Sequence, residues 1–173
     1  MSDPFLIKVR VSKADDAMRN SLRAALQHNK TYATGTTTTE REAFRRAWAV
    51  LIVEAAKKYK QPVTDEEHCH TISKIVQTLS ERFSRILIGG RLRFGTSQKA
   101  FNLYLKFLWC LGSLPKPPHC PIDRIVLRTA GLAGSWTQSN CATEYMKWVN
   151  ALRRYVAPTT LADWEYAQWN RNA

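Results

Sequence analysis

The stretch from Ser97 to Leu111 constrains the fold more than any other part of the chain. Phe101, Leu103, Tyr104, Leu105, Phe107, Leu108, Trp109 and Leu111 leave it almost no polar face. A helix that is apolar nearly all round belongs at the buried centre of a bundle, covered by other helices. The remaining sequence supplies that cover. Thr39 and Glu42 read as a capping box for a helix carrying Phe44, Ala47, Trp48, Leu51 and Ala55 on one face. Thr64 and Glu67 read as a second box, opening a helix with the stripe Ile72, Ile75, Val76, Leu79, Phe83, Ile86, broken at Gly89-Gly90.

Other segments fit the same architecture. A helix is predicted from Lys13 to about His28, then a Thr/Gly loop from Thr31 to Thr38. Gly112 and the proline-rich run after it end the central helix, and a short helix spans Pro121 to Ala130. Tyr145, Trp148, Val149 and Leu152 mark a further helix that Pro158 ends, with Trp164 and Trp169 on a last turn or two. Phe5 to Val11 reads as a short extended entry. With no repeat and no long linker, residues 1–173 read as one all-α domain, a compact helical bundle.

Charge narrows the function. The chain carries +12 overall, and Arg82 to Thr143 holds nine Lys or Arg against one acid, Asp123. A bias this strong points to a polyanion, because Lys and Arg neutralise phosphates and release counterions. Asp123 would repel phosphate, so it is there either for chemistry or as the partner of Arg124 or Arg128. No apolar run approaches a membrane span, and the N-terminus lacks a signal-peptide core. A monomeric cytoplasmic, nucleoid-associated protein is expected. His68-Cys69-His70 and His119-Cys120 match no standard zinc spacing, so neither a metal nor a cofactor is expected.

Two segments carry a resemblance. Gly95-Thr96-Ser97-Gln98-Lys99-Ala100-Phe101-Asn102 resembles the hairpin of the helix-hairpin-helix DNA glycosylases, the endonuclease III and 8-oxoguanine glycosylase superfamily. Pro121-Ile122-Asp123-Arg124-Ile125-Val126-Leu127-Arg128 is similar to that superfamily's segment with the catalytic aspartate. Ser97 stands where the second hairpin glycine is usual, Phe101 where a small residue is usual, and Arg124-Ile125 where Thr-His is usual. The C-terminal four-cysteine motif is missing, with Cys141 alone in that region.

The resemblance implies a helix-hairpin-helix element and a DNA glycosylase that flips a modified nucleotide out of duplex DNA. Asp123 would stabilise the oxocarbenium-like sugar or activate a nucleophile. Lys99 would match the amine nucleophile of members that also cut the strand. Gly95, Ser97, Gln98, Arg91, Arg93, Arg124 and Arg128 would contact DNA. Phe94, Trp109, His119 and Trp136 are candidates for the pocket around the extruded base, although aromatics on the apolar stretch also fit the core. Oxidised purines, damaged pyrimidines and a hypermodified phage base such as glucosylated hydroxymethylcytosine are the target options, for repair or defence. A helical DNA-binding module without activity is the alternative.

Overall fold

The computed structural model describes residues 3–27 and 29–171. Eight α-helices surround one hydrophobic core, with no β-strand among the described residues. They are α1 (Pro4–Val9), α2 (Ala14–Leu26), α3 (Thr38–Ala56), α4 (Asp65–Phe83), α5 (Phe94–Cys110), α6 (Arg124–Thr129), α7 (Ala142–Val156) and α8 (Leu161–Arg171). The apolar α5 is the hub: α1, α2, α3 and α4 all pack on it, and α2 shares the most extensive interface with it.

Several boundaries differ from the sequence expectation for identifiable reasons. Residues 4–9 are helical, not extended: Asp3 accepts hydrogen bonds from the Phe5 and Leu6 amides, and Pro4 stands at the first helical position, where its missing N–H costs nothing. This turn seats Phe5 against Phe107 of α5, ring centroids 5.4 Å apart. The box opening α3 is Thr37 with Glu40, two residues earlier than read, because a run of four threonines offers several equivalent registers. The Thr64–Glu67 box opens α4 as expected. The helix after Lys13 ends at Leu26, and His28 lies outside the described residues. α8 runs about three turns, longer than the one or two expected.

The connection from α4 to α5 positions the site. It passes through two 3₁₀ turns, Ser84–Ile86 and Ile88–Gly90, and Gly89 and Gly90 both have positive φ, a backbone region that other residues enter only at a cost. Tyr32 pairs with Leu87 in an isolated bridge that ties this bend to the loop before α3. α5 then starts at Phe94 rather than Ser97, so Gly95, Thr96 and Ser97 form its first turn and not a hairpin. No helix among the described residues is long and apolar enough to cross a membrane.

Candidate active site

One face of α5 is polar. Gly95, Gln98, Lys99, Asn102 and Lys106 follow the helical period, and each meets a different part of the chain. Gln98 is fully buried and treats Ile122 as a strand would: its Nε2 donates to the Ile122 carbonyl at 2.6 Å, and the Ile122 amide donates back to its Oε1 at 3.2 Å. Asn102 Nδ2 donates to the Cys120 carbonyl at 3.2 Å. These two side chains hold Cys120–Ile122 outside any helix, so the short helix expected from Pro121 starts only at Arg124. Asp123 becomes its N-cap, with Oδ1 accepting from the Ile125 and Val126 amides.

The other oxygen of Asp123 is turned to Lys99. Lys99 Nζ donates to Asp123 Oδ2 at 3.1 Å across 24 residues of sequence. The Lys99 ammonium also lies 4.6 Å from the centroid of the Trp136 ring, an attractive cation–π geometry. The pair is only partly covered, with side chains 15% and 23% exposed. Arg124 and Arg128 project into solvent beside it, as does Ile125, which is 66% exposed. The partner of Asp123 is thus Lys99, not Arg124 or Arg128.

Trp136 is fixed by close backbone contact. A Cβ on Gly95 would fall 1.7 Å from the Trp136 carbonyl oxygen, so only glycine lets the 135–139 loop lie against the first turn of α5. The Gly95 amide donates to the Ser139 carbonyl at 3.0 Å. Arg93 and Arg91 reach the same loop, donating to the carbonyls of Gln138 at 3.4 Å and Asn140 at 3.3 Å.

Behind the pair runs a buried polar chain. Asn102 Nδ2 also donates to Tyr145 Oη at 2.9 Å and Gln98 Oε1 at 3.1 Å. Tyr145 Oη lies 2.7 Å from His119 Nδ1, and His119 Nε2 lies 2.9 Å from Asp65 Oδ1. Burial pushes the His119 imidazole down to about 4, against the pull of Asp65. The ring is therefore neutral at pH 7, with its proton on Nε2 facing the carboxylate and Nδ1 accepting from Tyr145. Arg153 donates twice to Asp65 and, together with His119, holds that carboxyl well below the usual range. His68 stacks edge-on to His119 at 4.4 Å, and burial likewise lowers its pKa.

Lys99, Asp123, Trp136 and the four arginines therefore share one region, whereas several other expected site residues are buried beneath it or lie away from it. Gly95, Ser97 and Gln98 face inward and serve packing and the Ile122 contact, not DNA. Phe94 is a core residue against Tyr145. His119 is fully buried in the polar chain and lines no base pocket. Trp109, ten residues along α5 from Lys99, is about 15 Å away and packs on Tyr166. The basic bias is also weaker in space than in sequence. Arg85 pairs with Glu40, Lys106 with Glu165 and Lys116 with Asp163.

Sequence reading missed Asn102, Tyr145, Asp65 and Arg153. The signal for the first was present: Gln98 and Asn102, four apart on an otherwise apolar helix, are polar groups that need buried partners. Nothing local marks Asp65, which reads as an ordinary first-turn acid.

No family model, curated protein or solved structure matches the chain. The chemistry of the site therefore rests on its geometry. An anchored carboxylate with one oxygen committed to a helix cap and the other to a partly exposed lysine can stabilise a developing cation. Among the described residues, no three His, Cys, Asp or Glu side chains converge as a metal site would require.

Proposed function

We propose that the chain is a DNA glycosylase that breaks the N-glycosidic bond of a flipped, modified nucleotide, with Asp123 as its carboxylate. The observation that carries this reading is the 3.1 Å contact between Lys99 and Asp123 beneath Trp136, in a partly open position flanked by exposed arginines. The bond from C1′ to the base nitrogen breaks, and the base leaves with the electron pair and takes up a proton. The cationic sugar is stabilised by the Asp123 carboxylate, which removes the proton from an attacking water. In a lyase variant of the reaction, Lys99 first gives a proton to Asp123; its free amine then attacks C1′ as the C1′–N bond breaks, and opening of the C1′–O4′ bond leaves a Schiff base. Arg91, Arg93, Arg124 and Arg128 supply phosphate contacts, Trp136 walls the base site, and Ile125 is placed to fill the gap left in the stack.

The test is incubation with a panel of modified genomic DNAs, followed by mass spectrometry of released bases. Release by wild type and its loss in Asp123→Asn support the reading. Release that persists in a folded Asp123→Asn protein overturns it. Borohydride trapping then separates the two nucleophiles: an adduct that disappears in Lys99→Gln assigns the lyase step to Lys99.

A second reading has its own support. Every polar atom of the Asp123 carboxylate has a structural partner, as cap or ion pair, which suits a helical DNA-binding module without chemistry. Duplex binding with no base released from any DNA in the panel would favour it.

A further inference from the structure

We infer that the groove between α2 and α3 is a docking site for an acidic amphipathic helix of a partner protein. The groove encloses about 820 Å³ and lies outside the Lys99–Asp123 region. Its lining runs from Lys13 to Gln27, the whole length of α2, which at 1.5 Å per residue is about 20 Å. That length suits an elongated occupant of about four helical turns.

The lining has two chemistries. The floor is apolar: Met18, Leu22 and Leu26 from α2 and Ala49 from α3. The apolar strip continues outward along α3, where Val50 is 62% and Val53 is 41% exposed. The rim is cationic, with Lys13, Arg19, Arg23, Arg45 and Arg46 against one lining carboxylate, Asp15. Arg19 is partly neutralised by Asp16 at 2.6 Å, and Arg23 bonds Asn20 at 2.6 Å. Lys13 and Arg46 have no ion-pair partner among the described residues.

An apolar floor with a basic rim selects its occupant. Duplex DNA has no apolar ridge to bury in such a floor, and its phosphates would meet only the rim. A helix with Leu-type residues at i, i+3, i+4 and i+7 and acids on its flanks satisfies both chemistries at once. Its apolar stripe covers the floor, and its carboxylates face the cations, which steer the encounter. This inference is independent of the glycosylase reading.

The test uses the full chain and a fluorescein-labelled 16-residue synthetic peptide with leucines at helical spacing and glutamates on its flanks. A composition-matched peptide with the leucines dispersed is the control. In fluorescence polarisation the patterned peptide is expected to bind at least tenfold more tightly than the control. Arg23→Glu/Arg46→Glu is expected to lose at least tenfold. Val50→Glu/Val53→Glu, at exposed positions that spare the core, is expected to lose as much, while Lys99→Gln loses nothing. Equal affinity for the two peptides overturns the inference, as does unchanged binding by the valine variant. It is also overturned if the groove variants lose affinity for a 20-base-pair duplex but keep it for the peptide, because the groove is then a nucleic-acid track.

Discussion

Lys99 and Lys106 stand two turns apart on the same face of α5, about 10 Å along its axis, and each has a carboxylate and aromatic rings beside it. Their surroundings nevertheless give them opposite characters. Lys106 is 2.7 Å from Glu165, with side chains 2% and 5% exposed, and its Nζ sits 3.9 Å from the Phe5 centroid and 5.6 Å from that of Trp169. The approach to Glu165 is off-axis for a hydrogen bond, and burial pushes the Glu165 carboxyl up despite the lysine. That pair closes α8 over α5 and is sealed. The Lys99–Asp123 pair is longer, partly exposed and anchored from behind by Gln98 and Asn102. Charge and helical spacing alone do not separate the two lysines. The chain that covers them does: α1 and α8 over one, a single tryptophan loop over the other.

The sharpest way to break the comparison is at the open pair. Asp123→Asn keeps an N-cap of equal quality and removes a partly covered ion pair; surface pairs are worth about 0–1 kcal/mol, so the stability loss should stay below about 2 kcal/mol. Base release should fall by about 10²–10⁴-fold, read by mass spectrometry of liberated bases, while duplex affinity is kept or rises. A stability loss above about 2 kcal/mol would mean that Asp123 is chiefly structural.

The sealed pair should behave in reverse. Glu165→Ala leaves a buried lysine uncompensated and should cost about 3–5 kcal/mol in urea unfolding. Lys106→Met/Glu165→Leu replaces both charges by apolar groups and should recover most of it. If Glu165→Ala costs less than about 1 kcal/mol, water reaches Lys106 and the contrast collapses.

A smaller difference should appear with pH, because the open pair leans on a histidine. The unfolded chain protonates His119 near pH 6.5, whereas the folded chain does so only at about 4. Between those values the unfolded state binds more protons, so stability falls as pH falls, by about 3 kcal/mol across the window. His68, buried beside it, acts in the same direction. Asp65 adds a loss further down: its lowered carboxyl contributes stability above about pH 4 that disappears on acidification. Urea midpoints from pH 7.5 to 4.5 check the first part, and His119→Gln should flatten that slope. An unchanged slope would show that His119 is not buried as the neutral ring.

The smallest effect concerns salt. If the four arginines contact DNA as proposed, the log–log slope is about −3.6, and Arg128→Ala should reduce it by about 0.9. Lys106→Met/Glu165→Leu should leave it unchanged, since that lysine meets no phosphate. A shift of the slope in the second variant would put Lys106 back on the surface.

How much was legible follows the range of the interactions. The central helix, the Thr64–Glu67 box and the Gly89-Gly90 break rest on local rules, and all three stand in the structure. Phe5–Val11 looked extended because Ile7, Val9 and Val11 alternate, yet Asp3 and Pro4 outweigh that alternation. The contact of Lys99 with Asp123 joins two segments 24 residues apart in the chain. The identity of the partner of Gln98 and the Asp65–His119–Tyr145 chain depend on residues 24 to 54 positions apart, which no local pattern encodes. The basic bias is weaker in the fold than along the chain, because Glu40, Asp163 and Glu165 arrive from outside the segment to neutralise part of it.

The exchange between Gln98 and Ile122 has a consequence for hydrogen exchange. Ile122 lies outside every helix, in a proline-flanked stretch whose amides would ordinarily trade hydrogen for deuterium within seconds. Its N–H instead ends on a fully buried side chain of the central helix, so its protection should match that of the α5 backbone. The carboxylate one residue later thus sits at the end of a segment as slow to open as the core itself. The solvent-facing half of the pair inherits the rigidity of an interior that it does not belong to.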